Sequence, residues 1–151
     1  SISIGAALGS GIVNTMIAVG ISSIPTYARV FRSAVISEKS KEYIEASKAV
    51  GAGNARIILR HILPNSLAPV IVQASLGVAQ AITTAASLSF IGLGIQPPNP
   101  EWGALLSGGR QYIRDYPHMV VYPGIAIMLT VLALNLIGDG LRDALDPRLK
   151  R

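Results

Sequence analysis

The chain has 151 residues, of which 50% are hydrophobic and only 14% are charged, and its formal net charge is +5. Asp, Glu, Lys and Arg are absent from residues 1–28, 61–100 and 116–138, and each stretch is long enough for the roughly 20 residues that cross a bilayer as a helix. A soluble domain carries about one quarter charged residues. The composition therefore excludes an ordinary soluble protein and predicts an all-α integral membrane protein with about three transmembrane helices.

The basic residues follow the positive-inside rule. Seven Lys and Arg residues lie between Arg29 and Arg60, two lie between Gly92 and Tyr116, and four lie in the tail from Asp139 to Arg151. This distribution predicts a cytoplasmic first loop, an external second loop and a cytoplasmic tail. It also excludes a soluble nucleic-acid-binding protein, because the positive charges are separated by long stretches without charge.

Residues 1–9 resemble the end of an earlier apolar helix. Gly5 and Gly9 are spaced either for close helix packing or as parts of a Gly-rich loop at the membrane edge. The chain has no initiator Met and no signal-peptide layout at this point. We therefore expect it to be the C-terminal part of a longer protein.

The first predicted span covers residues 12–34. Pro25 falls inside it, and a membrane helix tolerates such a kink because neighbouring helices satisfy the freed backbone groups. Arg29 and Arg32 mark the cytoplasmic end of this span.

A charged segment, residues 38–56, separates the first two predicted spans. Ser40 is the expected N-cap of a helix that runs from about Lys41 to Val50. Gly51 is expected to end this helix with a positive φ, a conformation that glycine adopts freely. Asn54 is the expected N-cap of a second helix that continues into the membrane.

The second predicted span, residues 67–90, is unusually polar. Gln73 and Gln80 lie one helical heptad apart and therefore share a face. Polar residues of this kind are typical either of a helix that borders a water-filled path or of hydroxyl groups that pack between helices. The residues that we expect to line a translocation path are Gln73, Gln80, Thr83 and Thr84.

The predicted external loop covers residues 92–116 and contains a short amphipathic helix from about Trp102 to Ile113, with Trp102 at interfacial depth. The third predicted span covers residues 119–137. The polar tail, residues 139–151, is predicted to be cytoplasmic. Arg142, Arg148 and Lys150 neutralise its three aspartates, which favours a solvated mixed-charge tail over a cation site.

The sequence contains no pattern typical of a catalytic or cofactor site. None of the four lysines follows a glycine, as a phosphate-binding loop requires, and cysteine is absent. His61 and His118 are predicted on opposite sides of the membrane, so they cannot share a metal ion. No acidic residue lies deep in a predicted span, which argues against an ion-driven carrier. We therefore predict no catalytic residues, cofactor or metal, and expect the energy to come from an ATPase on a separate chain.

Residues 45–64, EASKAVGAGNARIILRHILP, resemble the EAA loop of ABC importer permeases. The family pattern is Glu-Ala-Ala, three residues, Gly, nine residues, Ile, one residue and Leu-Pro. Ser47 replaces the second Ala of the pattern, and His61 occupies the Ile position. The resemblance implies that six residues couple the chain to an ATPase, namely Glu45, Ala46, Ser47, Gly51, Leu63 and Pro64.

Two further stretches, residues 86–103 and 135–150, are similar to the dipeptide/oligopeptide/nickel permease group, and in particular to the second of its two paired permease subunits. The resemblance covers nearly the whole chain. It implies that residues 1–151 are the second half of a six-span type I ABC importer permease. Such a permease is a multi-pass protein of the bacterial inner membrane, whose coupling helix rests on an ATP-binding subunit.

The resemblance implies several partners: a sister permease subunit in a heterodimer, two ATP-binding cassette subunits, an external substrate-binding protein and the lipid bilayer. An alternative is a membrane anchor that recruits a cytoplasmic partner without transporting anything. The polar second span favours the transporter, because an anchor has no need of Gln73 and Gln80 on a water-facing side. The sequence does not specify the transported substrate.

Overall fold

A computed structural model describes residues 2–145, and all regular structure in this part of the chain is helical. A π-helix, Ile58–Ile62, precedes the fifth α-helix, and a 3₁₀ turn, Arg110–Tyr112, follows the sixth. The α-helices are α1 (Ile2–Leu8), α2 (Ile12–Lys39), α3 (Glu42–Ala49), α4 (Asn54–Ile57), α5 (Leu63–Phe90), α6 (Trp102–Gly109) and α7 (His118–Leu145).

Three of these helices, α2, α5 and α7, have 28 residues each. At 1.5 Å per residue each is about 42 Å long, which exceeds the roughly 30 Å hydrocarbon core of a bilayer. The segments Asn54–Phe90 and His118–Leu145 are also apolar enough to span a membrane, with mean hydropathies of 1.5 and 2.2 over their most apolar 18 residues. Only 17% and 0% of those residues are buried inside the chain. Their apolar surfaces therefore require lipid or other helices, unlike the core helix of a soluble protein.

The first long helix, α2, is less apolar than the other two because its C-terminal part contains the charged residues Arg29, Arg32, Glu38 and Lys39, and polar side chains interrupt the remainder. Asn14, Ser22 and Thr26 are spaced along its length, and α2 is not among the segments that are apolar enough to span a membrane by composition. The structure therefore supports an all-α membrane protein with two apolar spanning helices, whereas a total of three spans remains a prediction.

The connections alternate between the two ends of the bundle. At one end α3 joins the end of α2 to the start of the segment that leads into α5, and at the other end α6 joins α5 to α7. The central helix, α5, packs against α2, α6 and α7. We call the two ends the α3 end and the α6 end.

Small residues allow the close contacts around α5. Gly103 of α6 lies directly against the backbone of Ala86, where a side chain would collide with the carbonyl group. A Cβ atom on Gly138 of α7 would lie 2.6 Å from Cδ2 of Leu76. Glycine at such contacts lets membrane helices approach closely and gain dispersion energy.

At the α3 end, a small apolar cluster holds the connecting segments together. Ile44 of α3, Ile57 of α4 and Ile62 of the π-helix are buried against one another, and Val35 and Ala52 pack around them. The apolar contacts of this cluster attach α3 to the rest of the chain.

Gly51 ends α3 as expected, with a φ of +84°. The N–H of Gly51 donates to the carbonyl of Lys48 at 2.9 Å, and the N–H of Ala52 donates to the carbonyl of Ser47 at 3.1 Å. These two bonds are the Schellman arrangement, which satisfies the last carbonyls of a helix and requires a left-handed residue. The chain consequently turns back sharply toward α4.

Pro64 explains the π-helix between α4 and α5. It stands in the first turn of α5, it has no N–H to donate, and in a regular helix its ring would meet the carbonyl of Arg60. The wider turn of the π-helix, Ile58–Ile62, gives that carbonyl room. Local π adjustments of this kind are common at prolines in membrane helices.

Two expected N-caps are wrong by one residue. Ser40 instead closes α2, where its hydroxyl donates to the carbonyl of Ser37 at 2.9 Å, and the extended residue before α3 is Lys41. The N-cap of α4 is Gly53, which is extended, and Asn54 is already helical. Helix α3 begins later than expected because α2 continues to Lys39 and Ser40 caps it, whereas α4 begins one residue earlier than expected.

The long helices also extend beyond the predicted spans. Helix α2 continues past residue 34 to Lys39, and α7 continues past residue 137 to Leu145. Residues 139–145 of the predicted polar tail are therefore helical. The remainder of that tail, residues 146–151, lies outside the described residues.

Candidate functional site

Helix α3 presents an exposed face at the α3 end of the bundle. Ile44 is completely buried, whereas Glu45 and Ala46 on the same helix are exposed. Val50, which caps the helix, is 87% exposed although it is apolar. This face of α3 is therefore left uncovered by the rest of the described chain.

The residues of the EAA-like pattern fall into two groups in space. Glu45 and Ala46 lie on the exposed face of α3, and Gly51 ends that helix. Ser47 is half-buried, and its hydroxyl donates to the carbonyl of Tyr43 at 2.8 Å within the same helix. Leu63 and Pro64 instead begin α5.

Leu63 belongs to the wall behind α3 rather than to its exposed face. It lines a cavity of about 530 Å³ together with Ile44 and Ile57, and Lys39 and Lys48 also line this cavity. Leu63 thus lies behind α3 at the start of α5, whereas Glu45 and Ala46 face outward.

A network of polar side chains connects α3 to both neighbouring long helices. The hydroxyl of Tyr43 donates to the carboxylate of Glu38, and Asn65 donates to the Tyr43 oxygen at 3.0 Å. Lys41 Nζ lies 2.6 Å from the other carboxylate oxygen of Glu38. Glu38 belongs to the end of α2, and Asn65 belongs to the first turn of α5.

Two pKa values in this network are shifted. Burial alone would raise the pKa of Glu38, but hydrogen bonds from Lys41 and Tyr43 outweigh burial and hold this pKa below its ordinary value. Burial raises the pKa of Tyr43, and its hydrogen bond to Glu38 raises it further. Glu38 therefore stays ionised as an acceptor and Tyr43 stays protonated as a donor.

A polar cavity of about 480 Å³ lies between α2, α5 and α7. Gln73, Gln80 and Thr84 of α5 line it, as the shared face of the two glutamines predicts. The other long helices contribute polar residues to the same cavity, namely Ser22, Ser23, Thr26 and Tyr27 of α2 and Asn135 of α7. Three helices thus supply amide and hydroxyl groups to one space inside the bundle.

Thr83 does not belong to this cavity. Its hydroxyl donates to the carbonyl of Ala79 at 3.0 Å, one turn earlier in α5. Thr84 makes the corresponding bond to the carbonyl of Gln80 at 2.8 Å but also lines the cavity. Thr84 is thus the one of these two adjacent threonines that borders the cavity.

The polar residues of α2 and α7 were missed by the sequence reasoning. Ser22 and Thr26 are four residues apart and therefore lie on one face of α2, which is a signal that the sequence contained. Asn135 is the one amide side chain of α7. An amide in an otherwise apolar span is typical of a residue that faces the interior of a bundle.

A larger, mainly apolar cavity of about 800 Å³ adjoins the polar one along α2 and α5. Residues lining both cavities include Val19, Tyr27 and Ala81. The apolar walls include Met16, Ile24, Phe31 and Val78. The polar groups are therefore confined to one side of the space between α2 and α5.

The two histidines lie at opposite ends of the bundle. His61 packs edge-on against the ring of Tyr43, and His118 packs near Tyr116 and Tyr122, with ring centroids 6.0 to 6.1 Å apart in each pair. In residues 2–145, no group of three or more His, Asp or Glu side chains is arranged to hold a metal ion.

The chain matches a known protein family over almost its whole length. The family is described as "binding-protein-dependent transport system inner membrane component", and the match covers residues 2–151. The matched region includes both the exposed face of α3 and the polar cavity.

Several curated proteins are similar over 99% of the chain. The dipeptide transport system permease protein DppC of Alkalihalophilus pseudofirmus is 55% identical, and the chain covers 49% of it. The di/tripeptide transport system permease protein DppC of Pseudomonas aeruginosa is 51% identical. The glutathione transport system permease protein GsiD of Escherichia coli O1:K1 / APEC is 50% identical. The chain spans about half the length of these relatives.

Proposed function

Because the chain belongs to the family of binding-protein-dependent transport system inner membrane components, we propose that it is part of the permease of an ATP-driven importer for peptides or related small solutes. The names of the similar permeases, which refer to dipeptides, di/tripeptides and glutathione, support the peptide class. The chain itself is not the enzyme of this system, and ATP hydrolysis belongs to separate ATP-binding subunits.

Helix α3 is the coupling helix in this proposal. The observation that carries it is the exposed face of α3, with Glu45, Ala46 and the apolar Val50 outside the apolar helices. Small residues allow a partner's groove to approach closely, and Val50 offers an apolar anchor. Closure of the ATP-binding subunits would move α3, and the continuous segment Asn54–Phe90 would carry that motion into the bundle.

The polar cavity between α2, α5 and α7 is the proposed translocation path. Peptides carry amide groups that need hydrogen-bonding partners when they leave water. Gln73 and Gln80 of α5 and Asn135 of α7 offer such partners from opposite walls. A membrane anchor would have no use for a polar space of this kind.

The proposed assembly contains a sister permease as heterodimer partner, two ATP-binding cassette subunits and an external substrate-binding protein, in the inner membrane of a bacterium. The exposed apolar surfaces of α5 and α7 support an assembly in a membrane, because they need lipid or further helices to cover them. In this assembly the α3 end is cytoplasmic and the α6 end is external, which agrees with the excess of Lys and Arg near α3.

The proposal is tested by Glu45→Lys in the assembled transporter. Breaking a desolvated charge contact costs on the order of 2–5 kcal/mol, so we expect the ATP-binding subunits to be lost during co-purification and substrate-stimulated ATP hydrolysis to fall. Glu42→Lys is the matched control, because Glu42 is an exposed glutamate in the same first turn of α3.

Membrane insertion should be normal for both variants, because neither residue lies in a long helix. A Glu45→Lys protein that keeps its ATP-binding subunits and its stimulated hydrolysis would contradict the assignment of α3 as the coupling helix.

A further inference from the structure

We propose that Glu38, Tyr43 and Asn65 form a polar clamp that fixes the orientation of α3 relative to both α2 and α5, and so positions the coupling helix for its partner. This inference rests on the proposed function for its consequence in transport, but the clamp itself is a property of the folded chain. Its three residues are positioning residues, and none of them belongs to the EAA-like pattern.

The geometry of the clamp joins three elements at one oxygen atom. The Tyr43 hydroxyl donates a hydrogen bond to Glu38 at the end of α2 and accepts a hydrogen bond from Asn65 Nδ2 at 3.0 Å. Asn65 Nδ2 also donates to the carbonyl of His61 at 2.8 Å, which orients the amide. Removal of the single Tyr43 hydroxyl would therefore remove the side-chain hydrogen bonds from α3 to α2 and to α5 at once.

The burial of Glu38 makes this connection specific. Its side chain and backbone together are only 5% exposed, and among residues 2–145 it is the one buried charged residue. A buried carboxylate is costly unless both oxygens have partners. Here one oxygen accepts from Tyr43 and the other pairs with Lys41 at 2.6 Å. An arrangement of α3 that separated Tyr43 from Glu38 would leave one oxygen of the carboxylate unsatisfied.

The clamp supplies directionality that the apolar contact of α3 lacks. Helix α3 comes close to its neighbours at few points, and its main apolar contact is the buried Ile44. Apolar burial is non-directional, so Ile44 alone would hold α3 in place but allow it to rotate. Hydrogen bonds are angle-dependent, and bonds to two different helices determine the rotation.

The clamp is connected to the helices that line the polar cavity. Glu38 lies on α2, which carries Thr26, and Asn65 lies on α5, which carries Gln73. A displacement of α3 by a partner would be transmitted through the clamp to both walls of the cavity. Without the clamp, α3 would still bind a partner through its exposed face but would rotate in place.

The test is Tyr43→Phe in the complete transporter. The substitution removes only the hydroxyl and keeps the ring beside His61. We expect the ATP-binding subunits to remain bound and ATP hydrolysis to continue. Uptake of substrate per ATP hydrolysed should fall about tenfold, because hydrogen bonds to charged groups typically account for at least that factor.

A second readout measures orientation directly. The chain contains no cysteine, so spin labels can be placed at Ser33→Cys on α2 and Lys48→Cys on α3, both exposed positions. We expect a narrow distribution of label distances in the parent and a broad one in Tyr43→Phe. Asn65→Ala, at an exposed residue, removes the bond between Tyr43 and α5 but keeps the bond between Tyr43 and Glu38, so it should give a smaller broadening. It also replaces Tyr43→Phe if that variant fails to fold.

Tyr112→Phe is the matched control, because Tyr112 is at the opposite end of the bundle and exposed. It should leave both readouts unchanged. A Tyr43→Phe protein with the parental distance distribution and the parental uptake per ATP would overturn the clamp. A parent protein that neither binds ATP-binding subunits nor transports would instead overturn the proposed function and the role of the clamp in coupling, whatever the distances.

Discussion

At the scale of single residues, Gly51 determines where α3 ends and how the chain returns to the bundle. Its φ of +84° is costly for a residue with a side chain, by about 1–2 kcal/mol for the left-handed region. A Cβ atom at Gly51 would meet no other atom within 4 Å. Glycine is therefore required at this position for its backbone conformation, and not because neighbouring atoms leave no room for a side chain.

Substitutions at Gly51 should therefore have graded effects on transport. Gly51→Ala should weaken uptake modestly, whereas Gly51→Pro should uncouple ATP hydrolysis from uptake, because proline fixes φ near −65° and cannot follow the same path. Gly53→Ala is the control, since Gly53 is extended with a φ of −65° and also has open space around it. Equal activity of Gly51→Pro and Gly53→Ala in uptake assays would show that the turn is unimportant.

The titration of Glu38 gives a second prediction at this scale. Its pKa in the folded protein is lowered, so its stabilising contribution is fully present above the ordinary pKa of a glutamate and is lost as the pH falls through the lowered value. Tyr43 remains a protonated donor throughout this range, because its own pKa is raised. The orientation of α3 should therefore become less defined in acid.

The measurement is the width of the distance distribution between labels at residues 33 and 48 as the pH is lowered. The parent distribution should broaden in acid, and Glu38→Gln should remove most of this pH dependence. If Glu38→Gln broadens with the same pH profile as the parent, then other nearby carboxyl groups, such as those of Glu42 and Glu45, control the orientation.

At the scale of secondary-structure elements, α5 supplies both packing contacts and polar side chains to the bundle. Gly77 approaches α2 so closely that a side chain there would collide with the Tyr27 hydroxyl, and Leu76 packs against Gly138 of α7. Between these contacts, the face with Gln73 and Gln80 borders the polar cavity. The helix therefore packs against both neighbouring long helices and also borders the polar cavity.

The two adjacent threonines of α5 allow the contribution of the polar cavity to uptake to be tested. Thr84→Val should lower uptake, because it removes a hydroxyl that faces the polar cavity, whereas Thr83→Val should have a smaller effect, because Thr83 lies outside the cavity. Both changes preserve side-chain volume and both remove a bond to the preceding turn. Uptake rates at equal amounts of assembled transporter provide the comparison.

The double substitution Gln73→Leu with Gln80→Leu should lower uptake more than either threonine change while leaving assembly intact. Unchanged uptake in this double variant, or equal losses in the two threonine variants, would assign these residues to helix packing instead of a translocation path.

At the scale of the whole molecule, the order of connections makes α3 and α6 lie at opposite ends of the bundle. We predict that Ser40→Cys is protected from an impermeant thiol reagent added from outside, whereas Ser107→Cys in α6 is labelled in intact cells. The physical reason is the excess of Lys and Arg near α3. Labelling of Ser40→Cys from outside would reverse the topology, and permeabilised cells, in which Ser40→Cys should react, control for access to the thiol.

The sequence by itself determined the membrane character, the positions of the long helices and the turn at Gly51. These features depend on properties that act locally or along one helix: runs of apolar residues, the distribution of charge, and the conformational freedom of glycine. The shared face of Gln73 and Gln80 was predictable for the same reason, since helical periodicity relates residues within one element.

Only the tertiary structure decided which residues from different helices meet. Neither the pairing of Glu38 with Tyr43 and Asn65 nor the position of Asn135 opposite Gln73 follows from sequence spacing, because each depends on how α2 and α7 are placed around α5. The choice of Thr84 over Thr83 likewise depends on the rotation of α5 in the bundle. Such rotations are set by packing between helices, where small residues such as Gly103 and Gly138 permit the closest approach.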